Sequence, residues 1–473
     1  MKTIDHFYIH GEWVAPAAGS TLTDVINPAT EAPLARLTMG TAEDANRAVA
    51  AARVAFDSWS QSTREERIAL LERIAEQYRA RVPELAEAVR LEMGAPVTLC
   101  NAMHAPIGLV HIQNTLEVLR GFEFETTRGK TWLRREPVGV AALITPWNVP
   151  LNQIAAKVAP ALAAGCTVVL KPSEIAPLDA IIFAEIMHAA GTPPGVFNMI
   201  FGDGPSVGAA LSSHPDVDMV SITGSTRAGV EVAKNAAPTV KRVAQELGGK
   251  SPLVVLDDAD LKAAVTATVA QCMVNTGQVC VAPTRLLVPR ARYEEAVAIA
   301  SATANALTVG DPADPATRIG PLSNRAQFDK VQQMIGIAIE EGARVAAGGP
   351  GRPDGLGRGF FVRPTILADV HNGMTVAREE IFGPVLCVIA YDSEEEAIAI
   401  ANDTVYGLSA YVASGDAERA RRVAARLRAG TVRINAAPAD LTAPFGGCKR
   451  SGNGREFGQE GLVEFLEWKA ISL

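Results

Sequence analysis

The chain predicts an α/β fold with parallel sheets. From Val138 onward, short apolar runs recur at 138–144, 167–170, 196–201, 218–222, 253–256 and 285–288. They lack polar alternation, which suits strands buried on both faces of a sheet. Helix-like stretches separate them, and strands alternating with helices build parallel sheets. Polar segments follow several of these runs: Pro146-Trp-Asn148, Lys171-Pro-Ser-Glu174 and Gly224-Ser-Thr226. In parallel α/β sheets ligands bind beyond the carboxyl ends of the strands, where these segments fall.

Residues 41–59 read as an amphipathic helix. Thr41 is a natural N-cap with Asp44 three residues on, a variant of the capping box. Val49, Ala52, Phe56 and Trp59 then share one face. Residues 64–93 continue in a helical pattern of Leu and Ile among Arg and Glu, and Gly94 offers a stop. Residues 346–360, rich in Gly, Pro and Arg, read as a surface loop. At 473 residues the chain exceeds one ordinary core, so two or three domains are expected. No linker divides the sequence cleanly, so the domains are expected to interleave.

Composition narrows the function classes. The chain is 48% apolar and 20% charged with a net charge of −8. That gives no electrostatic reason to bind nucleic acid or an anionic membrane. No apolar run approaches the ~18–20 residues needed to cross a bilayer. The first ten residues lack the apolar centre of a signal peptide, so the cytoplasm is the expected compartment. Cys100, Cys166, Cys272, Cys280, Cys387 and Cys448 show no C-x-x-C spacing and read as reduced thiols. The seven histidines show no ligand pattern, and no metal is expected.

Two segments carry the main candidate chemistry: Glu246-Leu-Gly-Gly-Lys-Ser-Pro252 and Gly277-Gln-Val-Cys280. A thiolate attacks a carbonyl carbon, and a carboxylate can later activate water to release the acyl group. Most cysteines are buried and inert. Cys280 differs by its Gly-containing polar setting with no charged residue close in sequence. Glu246 alone would pass for a surface glutamate, but Gly248 and Gly249 mark a close backbone approach. Gly249-Lys250-Ser251 imitates the end of a phosphate-binding P-loop, yet Ala244 stands where that motif needs glycine. Asn148 is either a turn residue or an amide donor for a developing oxyanion. Gly224-Ser-Thr-Arg-Ala-Gly229 makes an anion site in principle, though a weak one without G-x-G-x-x-G. Lys171 and Glu174 either grip ribose hydroxyls or form a solvated pair.

Together these segments resemble the NAD(P)-dependent aldehyde dehydrogenase superfamily. Glu379-Glu-Ile-Phe-Gly-Pro384 and Pro444-Phe-Gly-Gly447 complete the set. They stand in the family's order across essentially the whole chain. The resemblance implies a Rossmann-like cofactor domain from 1–121 and 139–247 and an α/β catalytic domain at 248–446. It also implies a β oligomerisation arm from 122–138 and 447–473, with a homodimer or homotetramer as the assembly. Cys280 matches the nucleophile, Asn148 the oxyanion donor, Glu246 the base for deacylation, and Lys157 a lysine of the proton relay. Trp147, Gly224 and Ser225 match pyrophosphate-side contacts. Lys171 and Glu174 match adenosine-ribose contacts, and Glu380 with Phe382 the nicotinamide-ribose grip. A carboxylate such as Glu174 accepts from a 2′-hydroxyl and repels a 2′-phosphate, so NAD is expected over NADP. Lys171 leaves NADP use open.

The expected substrate tunnel is particular to this chain. Val149, Gln153 and Ala156 are small or polar where many relatives carry bulky side chains, and Val279 and Val281 flank Cys280. No arginine in 148–157 is placed to clamp a short carboxylate, and no aromatic cage awaits a quaternary ammonium. The expected substrates are longer or bulkier aldehydes, with another tunnel wall from 436–443. Two rivals remain: a CoA-acylating relative, which usually lacks the glutamate at position 246, and a binding protein that has lost catalysis. The presence of Glu246, Asn148 and Cys280 speaks against both.

Overall fold

The apolar runs fold as strands and gather into two large sheets in the computed structural model, which describes residues 2–472. The first sheet has eight strands. In spatial order they are Gly452–Asn453, Arg242–Glu246, Met219–Thr223, Val140–Ile144, Thr167–Lys171, Phe197–Met199, Phe7–Ile9 and Glu12–Val14. The strands from Arg242 to Phe197 in that order run parallel, and antiparallel strands close both edges. Val140–Ile144 and Thr167–Lys171 are buried at every residue, as runs without alternation require. Chain order reverses between the Val140 and Met219 strands. A crevice opens at such a switch point beyond the carboxyl ends.

The second sheet has seven strands, ordered Arg344–Ala347, Thr365–Ala368, Val385–Tyr391, Pro283–Pro289, Ser251–Val255, Ser409–Ala413 and Thr431–Ile434. All pairs are parallel except the Arg344 edge. Val254 and Leu287 face one apolar core, while Val255 and Leu286 face another on the opposite side. A third core fills the half built on the first sheet.

Thr41 caps the helix Ala42–Trp59 through a reciprocal capping box with Asp44. Val49, Ala52 and Trp59 are buried, whereas Phe56 is only half-buried and lies beneath the Arg53 guanidinium at 5.8 Å. The next helix spans Arg64–Met93 and ends at Gly94 with φ 76°.

Two expectations need correction. Residues 344–347 form an edge strand, so the loop read from 346 starts at Gly348, and its far end is anchored by buried Phe360. Phe360 packs 6.3 Å from Phe328, a contact invisible to local composition. The tail assigned to the arm divides in two. Gly452–Asn453 pairs with Gln245 and Glu246, and the helix Gly458–Val463 packs on Pro150–Ala164 and Pro106–Gly121. Only Leu466–Ser472 joins Thr131–Pro137 and Glu125–Arg128 in a separate antiparallel sheet. Among the described residues no helix is long and apolar enough to cross a membrane.

Candidate active site

A cleft of about 210 Å³ opens where the two halves meet. The first sheet supplies Trp147 and Asn148 after the Val140 strand, and Thr223, Gly224 and Ser225 at and after the end of the Met219 strand. These two strands flank the switch point. Cys280, Glu380, Phe382, Gln327 and Lys330 come from the other half.

The turn carrying Cys280 is strained. Asn275, Thr276 and Gly277 take positive φ in succession, at 55°, 57° and 73°. A non-glycine residue held there costs of order 1–3 kcal/mol and persists only where its surroundings over-determine it. Asn275 supplies that constraint. Its Nδ2 donates to the Asn148 carbonyl at 2.8 Å and the Gln278 carbonyl at 3.4 Å. Its Oδ1 faces His104 Nε2 at 3.2 Å, which assigns the Nε2–H tautomer to that imidazole. His104 is fully buried in a π-helical turn, and burial pushes its pKa down to about 4, so it is neutral. Gln278 adds bonds to the Asn275 carbonyl and from the Ser323 amide. A Cβ at Gly277 would stand 2.6 Å from the Pro384 nitrogen, so space and φ both demand glycine.

Cys280 is half-buried in this turn, and burial, then the nearby Glu380 and Glu246 charges, raise its thiol pKa. Asn148 is buried just ahead of the helix Pro150–Ala164. Its Nδ2 donates to the Gln278 carbonyl at 3.0 Å, which leaves the second N–H uncommitted. Val279 and Val281 bracket the thiol and are half-buried; Val149 is buried at the helix start; Gln153 lines the cleft.

Glu246 ends its strand behind this cleft, buried, with neither carboxylate oxygen hydrogen-bonded. Burial raises its pKa well above the carboxylate range, the Glu456 charge adds to this, and Lys157 and Arg455 oppose it. Gly446 makes room for it, since a Cβ there would lie 2.7 Å from Oε1. Lys157 does not line the main cleft. It donates to Ser221 Oγ at 3.1 Å and pairs with the Glu456 carboxylate. Lys157, Glu246, Glu456 and Glu464 line a separate cavity of about 10 Å³. That is roughly the space of one water.

The remaining predicted residues fall along the same edge of the sheet. Trp147 and Phe382 meet edge to face at 5.6 Å. Ser225 caps the helix Thr226–Ala236 by accepting from the Ala228 amide. Glu380 accepts from the Gly249 amide at 2.9 Å, and a Cβ at Gly248 would lie 2.9 Å from its Cδ. Gly249 lies against the Cys280 carbonyl. The paired glycines after Glu246 are thus explained by Glu380 and the Cys280 carbonyl. Lys171 and Glu174 lie outside the cleft, past the next strand. Buried Lys171 donates to the Gly202 and Pro172 carbonyls and faces Glu174 at 3.6 Å. Residues 435–440 are exposed, and Asn114 holds the Leu441 carbonyl at 3.1 Å.

Sequence reasoning missed His104, Asn275, Glu456, Gln327 and Lys330. Asn275 carried one available signal, a polar residue two positions ahead of Gly277-Gln-Val-Cys280; Glu456 carried none, lying 299 positions from its lysine.

An open doubly wound sheet whose switch-point cleft holds a thiol and an amide donor, with a buried carboxylate behind it, defines a class: α/β proteins built around a cysteine cleft. Residues 13–471 match the aldehyde dehydrogenase family model, and the chain belongs to that family. It is 54% identical to 3-succinoylsemialdehyde-pyridine dehydrogenase of a Pseudomonas species, covering 100% of this chain and 99% of the other. A solved structure of aldehyde dehydrogenase C from Pseudomonas syringae, a cysteine-to-alanine mutant complexed with NAD+ and octanal, is 54% identical. It superposes with a TM-score of 0.98 over 99% of this chain and 96% of that one. Mycobacterium tuberculosis aldehyde dehydrogenase complexed with NAD+ is 42% identical, with a TM-score of 0.97 over 100% of this chain and 98% of that one.

Proposed function

We propose that this chain oxidises aldehydes to carboxylic acids with NAD, using Cys280 as nucleophile and Glu246 as the base for deacylation. The carrying observation is a half-buried thiol and an uncommitted Asn148 N–H in the cleft at the switch point, with a buried, unbonded Glu246 carboxylate behind it whose charge reaches the thiol. The Cys280 sulfur attacks the carbonyl carbon, and the Asn148 side chain with the Cys280 amide holds the oxyanion. One such donor is worth roughly 3–4 kcal/mol in the transition state. NAD supplies a hydride acceptor when bound. Cys280 then carries the acyl group as a thioester. Glu246 takes a proton from the attacking water, and the thiolate leaves as the acid forms. The water-sized cavity gives that proton a way on to the Lys157–Glu456 pair.

The residues present fit the cofactor. Glu380 has one protein donor and keeps acceptor capacity for ribose hydroxyls. Gly224 and Ser225 open a helix N-terminus, which suits a pyrophosphate. Lys171 is occupied by two carbonyls and by Glu174, which favours NAD over NADP.

The substrate reading is a longer or bulkier aldehyde. The helix Pro150–Ala164 sends Gln153 and no aromatic side chain to the cleft, and one relative is named for a pyridine semialdehyde while another is bound to octanal. The arm sheet, with Trp468 56% exposed, supports a homodimer or homotetramer. The test is NADH absorbance with NAD and aldehydes from acetaldehyde to decanal, beside Cys280→Ala. Turnover that peaks at medium length and vanishes in the variant is expected; a maximum at acetaldehyde contradicts the tunnel, and turnover surviving in the variant contradicts the nucleophile.

A further inference from the structure

Gln153 sits in the first turn of the helix Pro150–Ala164, where its backbone N–H donates to the Val149 carbonyl at 3.1 Å. It is 5% exposed and lines the cleft together with Cys280 and Asn148. Its helix neighbours Leu151, Ile154, Ala155 and Ala156 are apolar and buried. Among the described residues neither atom of its amide has a hydrogen-bond partner, and Oε1 is wholly buried. Each neighbouring side-chain amide has at least one partner. Asn148 donates to Gln278, and Asn152 accepts from His111 at 2.7 Å. Leaving a buried polar group unsatisfied is destabilising, and an unbranched apolar side chain of similar volume would avoid it. A desolvated amide at the reacting cleft is accounted for if the substrate completes it.

We propose that Gln153 selects aldehydes that carry a second hydrogen-bonding group along the chain, such as a ketone, a hydroxyl or a ring nitrogen, over plain alkyl aldehydes. The inference rests on the dehydrogenase reading and adds the substrate class. The Nε2 donor suits a ketone, a hydroxyl oxygen or a ring nitrogen, each of which accepts a hydrogen bond. An apolar tunnel separates chains by size alone, whereas a site built to hydrogen-bond rejects the analogue lacking the group. One neutral hydrogen bond corresponds to about a tenfold preference.

The test compares octanal with keto-octanals bearing the ketone at successive positions, using the full-length protein with NAD. In the parent, at least one keto isomer is expected to exceed octanal in kcat/KM by about tenfold or more. In Gln153→Met that ratio is expected to fall to about one. The variant should also melt no lower than the parent, because it removes a desolvated polar group. Octanal preferred over every keto isomer in the parent, a ratio that survives in Gln153→Met, or a variant that fails to fold would each overturn the selection role. NADH from octanal without the preference sinks the selection alone; no NADH from any aldehyde sinks the dehydrogenase reading as well.

Discussion

Glu246 and Cys280 both hold their protons more tightly than free side chains of their kind, and burial is the leading cause for each. In the proposed reaction the deprotonated form of each does the chemistry, so turnover should rise with pH. The acid limb of kcat should lie above the usual glutamate value of about 4.3. Lys157 is the largest influence pulling Glu246 down. Lys157→Met should therefore move that limb to higher pH, and a pH profile with an unmoved limb would contradict the relay. Glu174 makes a second prediction. Glu174→Gln removes the charge that repels a 2′-phosphate, so kcat/KM with NADP should rise about tenfold or more relative to NAD. An unchanged ratio would place cofactor choice elsewhere. Local patterns made these residues legible: a carboxylate before two glycines, and Lys and Glu closing an apolar run. Glu456 was not legible, because only the tertiary fold brings its tail segment beside Lys157.

The turn from Asn275 to Cys280 joins the two halves of the protein. Asn275 bonds the backbone of Asn148 on one side and of Gln278 on the other, so Asn148 and the turn that carries Cys280 are held by one side chain. Asn275→Ala removes the Asn275 donor from the Asn148 carbonyl, at a cost of about 1–3 kcal/mol, while the Gln278 carbonyl keeps the Asn148 side chain. It should lower kcat far more than it raises KM; a variant with parental kcat would show that the strained backbone holds itself. Gly277→Ala should be worse, since the added methyl meets the Gly383–Pro384 backbone. The sequence exposed Gly277 as a turn residue but not the reason for it. The buried strands were readable because their apolar runs have no alternation, and the Ala42–Trp59 helix because its cap and stripe agree. The Arg344–Ala347 edge strand was hidden in a Gly- and Pro-rich neighbourhood.

Two α/β halves share one cleft, and two three-stranded sheets, one of them the arm, complete the described residues. The chain crosses between them: Gly452–Asn453 extends the first sheet, and Leu466–Ser472 completes the arm. The family resemblance anticipated interleaving, but composition gave no sign that the tail would split between two sheets. Ending the chain at Phe465 removes the strand that pairs along Thr131–Pro137. By analytical ultracentrifugation the parent should sediment as a dimer or tetramer and the truncated chain as a smaller species; a monomeric parent contradicts the role of the arm. The account as a whole depends on acyl transfer through Cys280 with release governed by Glu246. The direct measurement is rapid mixing of Glu246→Gln with NAD and octanal, followed by intact-mass and peptide mass spectrometry. A burst of one NADH per site, slow turnover after it, and an octanoyl group on Cys280 are predicted. Steady turnover at the parental rate, or an acyl group on any other residue, would contradict it.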